Sequence, residues 1–188
     1  LHKAIGIAVL NALSETCWQK SPPQKYEVQR GIDALDAVDI PEEAYVVVVG
    51  ALAPFLKKLI KRDRPFTILE MDPSTLKSHE MPFYMHGSRA AEVIPQADVL
   101  VITGTTLIND TLEELLCLAK PEAHIVVVGP TASLLPDAFF KRGVDLLGGI
   151  SVTNPDELLD LLAEAGSGYH FFEKSADRTV IRRLEEQR

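Results

Sequence analysis

Thiols, basic charge and long apolar runs are all scarce in this chain, and each shortage sets aside a class of protein. Its two cysteines, Cys17 and Cys117, are far apart in sequence and form no CxxC pair. They make no disulfide framework and read as reduced core thiols. Lys and Arg number 19 against 27 Asp and Glu, a formal net charge of −8. Without a basic surplus there is little to neutralise a phosphate backbone, so nucleic acid and anionic membrane are not expected as partners. No apolar run approaches the roughly 20 residues that cross a bilayer. No small-residue cleavage site follows the opening segment, so no secretory signal is expected and a cytoplasmic setting is. The chain reads from Leu1 directly into a helix, and further residues upstream are expected.

What is present is ordinary for a globular chain. Of 188 residues, 46% are hydrophobic and 24% charged, enough to bury a core without disulfides or a structural metal. Ile5, Val9, Ala12 and Leu13 recur at helical spacing and predict a buried helix over about Lys3–Leu13. Ser21, Pro22 and Pro23 read as a linker, and a short helical turn is expected within Gly31–Val38. Tyr45–Val49 is apolar on both faces, the pattern of a parallel strand covered on two sides. A helix over Ala53–Lys61 follows, with Phe55, Leu56, Leu59 and Ile60 inward, and then a strand over Phe66–Glu70. His79–His86 is irregular or holds one short strand, and Ser88 is expected to cap a helix over Arg89–Ile94. Further strands are predicted at Asp98–Thr103, His124–Val128 and Val144–Leu147. Helices are predicted from Thr111, over Pro136–Arg142 and from Asn154. From Tyr169 onward no period is clear. This alternation predicts an α/β fold: a doubly wound, mainly parallel Rossmann-like sheet with helices on both faces and an additional N-terminal helix.

In such a sheet ligands bind beyond the carboxyl ends of the strands. The segments there are Gly50–Pro54, Glu70–Pro73, Thr103–Asp110 and Gly129–Ser133, together rich in Gly, Thr, Asn and acidic residues. A dinucleotide fingerprint needs glycine where Leu52 and Phe55 stand, so NAD is not expected. Glu70 sits where a ribose-binding acid would. Thr103, Gly104, Thr105, Thr106 and Asn109 exceed what a helix start requires, because Thr111 and Glu114 already form a capping box. A helix start with spare N–H groups suits an anionic or carbonyl-bearing ligand. Gly129, Pro130 and Thr131 repeat this character at the next strand. His79-Glu80 opens like HExxH, but Phe83 holds the second histidine position and Pro82 breaks the helix. His79, Glu80 and His86 are then the weak metal candidates. No Ser-His-Asp or Cys-His arrangement is assignable.

The run Asp98–Thr111, with Thr-Gly-Thr-Thr-Leu-Ile-Asn at its centre and Leu112-Glu113-Glu114-Leu115-Leu116 after it, resembles the domain-of-unknown-function family described as putative heavy-metal chelation. Val49-Gly50-Ala51, Val128-Gly129-Pro130-Thr131 with Leu135-Pro136, Arg142-Gly143-Val144-Asp145 and the opening Ala4–Leu13 are similar to it as well. The resemblance spans Ala4 to about Leu159. It implies a Rossmann-like domain preceded by a small α+β domain similar to the enolase N-terminal domain, with a cleft between them. Residues 1–40 are then expected to be a remnant of that first domain plus linker, and 41–188 the Rossmann-like domain. The family's site carries over to Gly50, Glu70, Thr103, Gly104, Thr105, Thr106, Asn109, Gly129, Pro130 and Thr131.

The reading is a protein that binds a small molecule or metal chelate at the strand-end cleft, in heavy-metal handling, with catalysis left open. A divalent or heavy metal is the candidate ion. The alternatives are an enzyme using a nucleotide-like cofactor such as S-adenosylmethionine, and a non-catalytic interaction domain. A homodimer is compatible with the sequence but not specified by it.

Overall fold

The computed structural model describes residues 1–21 and 25–184. Pro22 and Pro23 of the expected linker lie outside the described residues. In chain order the elements begin with α1 (His2–Lys20), β1 (Tyr26–Arg30), α2 (Ala34–Ala37), β2 (Val46–Val49) and α3 (Ala53–Arg62). Next come β3 (Phe66–Glu70), β4 (Tyr84–His86), α4 (Ala90–Val93), β5 (Val99–Thr103), α5 (Leu112–Leu118) and β6 (His124–Val128). The last are α6 (Asp137–Phe140), β7 (Leu146–Val152), α7 (Pro155–Ala163), α8 (Gly168–Phe171) and β8 (Ala176–Arg183).

These strands form one sheet in the order β1-β8-β7-β6-β5-β2-β3-β4. From β4 to β7 all neighbours are parallel. Numbered among themselves, these six strands have the doubly wound order 3-2-1-4-5-6. β8 runs antiparallel to both β7 and β1. The pleat divides the buried apolar residues between two layers. Val47, Leu100, Ile102, Val127 and Leu147 pack with residues of α4, α5 and α6. Val46, Val48, Ile68, Val101 and Val126 pack with Phe55, Leu56 and Leu59 of α3. Each such side chain, fully buried, contributes about 1.5–3 kcal/mol.

Polar brackets hold the strand starts. Asp98 accepts from the Tyr45 N–H at 2.8 Å and from Lys120 Nζ at 2.5 Å. The Lys120 hydrogen bond, then the Tyr45 N–H, hold its carboxyl below the usual aspartate value. Asp33 caps α2 through the Leu35 N–H and pairs with Arg178 of β8 at 2.9 Å. Gly148 leaves room for α2 on the sheet, since a Cβ there would lie 2.5 Å from the Ala34 Cβ.

The structure departs from the sequence expectations at the edges. α1 is a helix, but it is not buried: only Ile7 and Ser14 are, while Ile5 and Val9 are each 53% exposed. Its apolar residues occur on every side, so no single stripe faces the sheet. β7 extends well beyond Leu147 because β8 pairs with it through Val152. β1 and β8 were not anticipated. Ser88 does not cap its helix. α4 has no side-chain cap; His86 caps the 3₁₀ turn Gly87–Arg89 that leads into it, its Nδ1 accepting from the Ser88 N–H at 3.2 Å.

Candidate functional site

The sheet reverses direction of growth between β2 and β5, and the crevice above that point is where an open α/β sheet takes ligands. Gly50 ends β2 there with φ +101°, and its N–H donates to Leu69 O at 2.9 Å. A Cβ at residue 50 would lie 2.8 Å from the Thr103 Cγ2. Glycine is therefore required both by conformation and by the close approach of β5.

Glu70, at the end of β3, turns back over this loop. Its Oε2 accepts from the Ala51 N–H at 3.0 Å, and its Oε1 accepts from the Met71 and Asp72 N–H groups at 2.7 and 3.2 Å. A carboxylate offers about four acceptor positions, so three amides leave it room for one further donor.

After β5 the chain makes a 3₁₀ turn over Gly104–Leu107. The Thr103 Oγ1 accepts from the Thr105 N–H at 3.4 Å and lies 3.2 Å from the Thr105 Oγ1. Buried Thr106 donates to Thr103 O at 2.7 Å. Asn109 Oδ1 accepts both from the Thr111 N–H at 3.3 Å and from the Thr111 hydroxyl at 2.7 Å. This overturns the capping box. The Thr111 hydroxyl is spent on Asn109 and makes no cap to α5, so the amide of Asn109 braces the loop.

These segments enclose a cavity of about 330 Å³. Gly50, Glu70, Thr103, Thr105, Thr106 and Asn109 line it together with Leu52, Leu69 and Leu115. Gly104, Gly129, Pro130 and Thr131 do not. Gly104 is buried beneath the site against the second loop, where a Cβ would meet Thr131 Oγ1 at 2.3 Å and Ala132 N at 3.1 Å. That second loop lies under α1, with Asn11 Nδ2 donating to Pro130 O at 3.0 Å. Of the two residues standing in glycine positions of the dinucleotide fingerprint, Leu52 reaches the cavity and Phe55 is buried in the core. Met71, within the expected Glu70–Pro73 segment, also lines the cavity, as do Gly87 and Ala90, which were missed. Their only signal was a glycine directly after a short, weakly patterned strand.

The three metal candidates do not converge. Glu80 is 3% exposed and accepts from the Lys77 N–H at 2.7 Å. His79 is largely exposed, with its Nε2 3.9 Å from Glu80 Oε1. His86 pairs in register with Glu70 but turns its ring to Ser88. Among the described residues no three His, Cys, Asp or Glu side chains gather into a metal-binding group.

A six-stranded parallel sheet in this order, with a cavity at its switch point, defines a doubly wound Rossmann-like domain. Within that class the chain belongs to the DUF364 family, described as putative heavy-metal chelation, whose model matches residues 33–181. An uncharacterized protein of Methanocaldococcus jannaschii is 30% identical over 189 residues, covering 98% of this chain and 67% of that protein. The crystal structure of a DUF364 protein of unknown function from Pyrococcus horikoshii superposes with a TM-score of 0.77 at 22% identity, covering 94% of this chain and 67% of that one. A second family member of unknown function, from Desulfitobacterium hafniense, gives 0.62 at 24% identity, covering 81% and 57%. The chain thus spans about two thirds of the length of the first two and less of the third. Among the described residues no helix is long and apolar enough to cross a membrane.

Proposed function

We propose that the protein binds a small hydroxyl-bearing molecule or a metal chelate in the switch-point cavity, in keeping with its family's heavy-metal description. The observation that carries this reading is the lining. Glu70 has an acceptor position to spare, the Thr103 and Thr105 hydroxyls face each other beside it, and Leu52, Leu69 and Leu115 supply apolar walls. Among the described residues lining the cavity, Glu70 is the only charge and no cation is present. This disfavours a bare anion and favours a neutral or cationic ligand. One carboxylate with threonine hydroxyls is a poor set for a naked ion, since hard cations take six or more oxygen ligands. A metal would therefore arrive as cargo with its own chelator. No His, Cys or Lys is among these lining residues, so the proposal is for binding rather than covalent chemistry.

One further reading has support of its own. An acid at the end of the strand next to the glycine loop is placed to accept a ribose diol, and a sulfonium-bearing nucleoside such as S-adenosylmethionine would suit a cavity whose only charge is negative. By family resemblance, the extra length of the relatives would include a small α+β domain of the enolase N-terminal type. The division would fall near residue 40, with 41–188 as the Rossmann-like domain, β1 of the first segment joining its sheet and α2 packing on it. The setting proposed is cytoplasmic.

A thermal-shift screen separates these readings, because a ligand at a hundred times its Kd adds about 2.7 kcal/mol. Stabilisation by cationic or neutral divalent metal–histidine chelates, abolished in Thr105→Val, supports the first. Stabilisation by adenosine compounds, abolished in Glu70→Gln, supports the second. Silence with both sets would overturn both and leave a non-catalytic interaction domain.

A further inference from the structure

A second cavity, of about 430 Å³, lies at the antiparallel edge, between α1 and the β1-β8-β7 ribbon. The strand register sorts its floor into rows. Val28 and Ile181 are partners in one row. Two residues along, Arg30, Thr179 and Gly149 are partners in the next. Ser133 of the loop after β6 reaches over Gly149, where a Cβ would lie 2.8 Å from the Ser133 Oγ. The first row is apolar, and the second carries a guanidinium and two hydroxyls. The polar groups of this floor therefore stand together at one end.

α1 supplies the opposite wall through Glu15 and Trp18, whose three-residue spacing puts them on one face of the helix. Trp18 packs against the apolar layer that holds Ile181. Glu15 stands over the polar row, its Oε1 4.0 Å from the Arg30 Nη2, with both side chains partly exposed. A bonded pair of this kind closes to about 2.7–2.9 Å, so these two are neighbours without a hydrogen bond. Glu15 Oε1 accepts instead from Gln19 Nε2 of its own helix at 3.3 Å, and the Arg30 guanidinium keeps its fork of donors. Among the described residues lining the cavity, Glu15 and Arg30 are the only charges. The cavity thus offers one cation and one anion side by side at one end of an apolar floor.

That pattern selects a ligand class. A plain anion would be opposed by Glu15 and a plain cation by Arg30, whereas a zwitterion satisfies both. We propose that this cavity binds a free α-amino acid with a large apolar side chain. Its carboxylate takes the Arg30 guanidinium, which matches it two bonds to two, and the Thr179 hydroxyl in register beside Arg30 adds a donor. Its ammonium donates to Glu15. Both charges sit on one carbon, so the side chain leaves them in a single direction, over Val28 and Ile181 and against Trp18. The volume falls in the ordinary range for small-molecule sites. The site is independent of the switch-point cavity and is tested separately from the function proposed for it.

The chain has one tryptophan, so Trp18 fluorescence reports on this cavity and not on the other. The full chain is titrated with L-leucine, N-acetyl-L-leucine, L-leucinamide and glycine, read by Trp18 fluorescence and by calorimetry. Saturable binding is expected with leucine. Loss of the ammonium in N-acetylleucine, or of the carboxylate in leucinamide, should weaken it about tenfold. Loss of the side chain in glycine should do the same. Arg30→Gln should weaken leucine about tenfold and leucinamide not at all. Glu15→Gln should weaken leucine by a similar factor, while N-acetylleucine, relieved of the opposing carboxylate, binds more tightly. No saturable binding of leucine by either readout at millimolar concentration would overturn the proposal. N-acetylleucine or leucinamide binding the parent protein as tightly as leucine would also overturn it, and that comparison needs no variant to fold. So would leucine binding that both Arg30→Gln and Glu15→Gln leave unaltered.

Discussion

The loops leaving β5 and β6 are built from similar residues, Thr103-Gly104-Thr105-Thr106 and Val128-Gly129-Pro130-Thr131, and each passes into a 3₁₀ turn. They nevertheless face different surroundings. The first stands at the switch point, where crossovers depart to opposite faces and leave a crevice, so its hydroxyls line a cavity. The second is one strand further along, where α1 covers it and Asn11 takes the Pro130 carbonyl. Its glycine packs behind the first loop, and its serine reaches the other cavity. Small polar composition marks a strand end in both cases. What lies across from the loop decides whether those groups meet ligand, helix or each other.

The contact between the loops is the part of this comparison most open to attack. Gly104→Val should destabilise the protein by about 3 kcal/mol in urea unfolding, because the new side chain must displace Thr131 and the Ala132 backbone. In a Thr131→Ala background the loss should shrink, since the nearest obstacle is a flexible hydroxyl. Additive losses would show that the loops do not bear on each other. Gly50→Ala tests the other flank of the first loop. Its φ of +101° and the contact with Thr103 predict a cost of about 2 kcal/mol. A neutral result would mean that the β2–β5 approach is looser than the geometry states.

The parallel half of the fold was legible because it is written in unbroken apolar runs rich in β-branched residues. Val46–Val49, Val99–Ile102 and Ile125–Val128 admit few readings other than strands covered on both faces. The antiparallel edge was not legible, because β1 and β8 mix charge with apolar residues. Arg178, Arg182 and Arg183 of β8 make sense only against Asp33, Ala37 O and Phe140 O, partners remote in sequence. At the candidate site the residue types were readable and their duties were not. Nothing local says that Glu70 is engaged by three amides, or that the Thr111 hydroxyl turns back to Asn109 rather than forward into its helix. Side-chain direction at a loop is set by neighbours that spacing does not encode.

The bracing side chains give smaller effects and separate the loops further. Asn109→Ala removes the acceptor for the Thr111 hydroxyl and one of two acceptors for its N–H, which keeps Thr106 O at 3.1 Å, and should cost about 1 kcal/mol. Asn11→Ala frees the Pro130 carbonyl at a partly solvated position and should cost slightly less. A ligand of the switch-point cavity should feel the first change and not the second. Equal effects on affinity would mean that the two loops respond as one unit.

The smallest effect belongs to Thr111, and it discriminates most finely. Were Thr111 the cap of α5, its hydroxyl would hold a helix amide, and Thr111→Ala would cost about 1 kcal/mol whatever occupies position 109. In the structure that hydroxyl donates to Asn109 Oδ1 alone, at 2.7 Å. Thr111→Ala should then cost about 0.5 kcal/mol in the parent, because the Thr111 N–H to Asn109 bond survives. In the Asn109→Ala background it should cost almost nothing, because the hydroxyl has already lost its partner. Urea unfolding of the two single variants and the double variant gives the coupling directly. Strict additivity would return Thr111 to a capping role and free Asn109 for ligand alone. Coupling of about the whole Thr111 effect would show that this loop is braced from within, so that its shape is set before any ligand arrives.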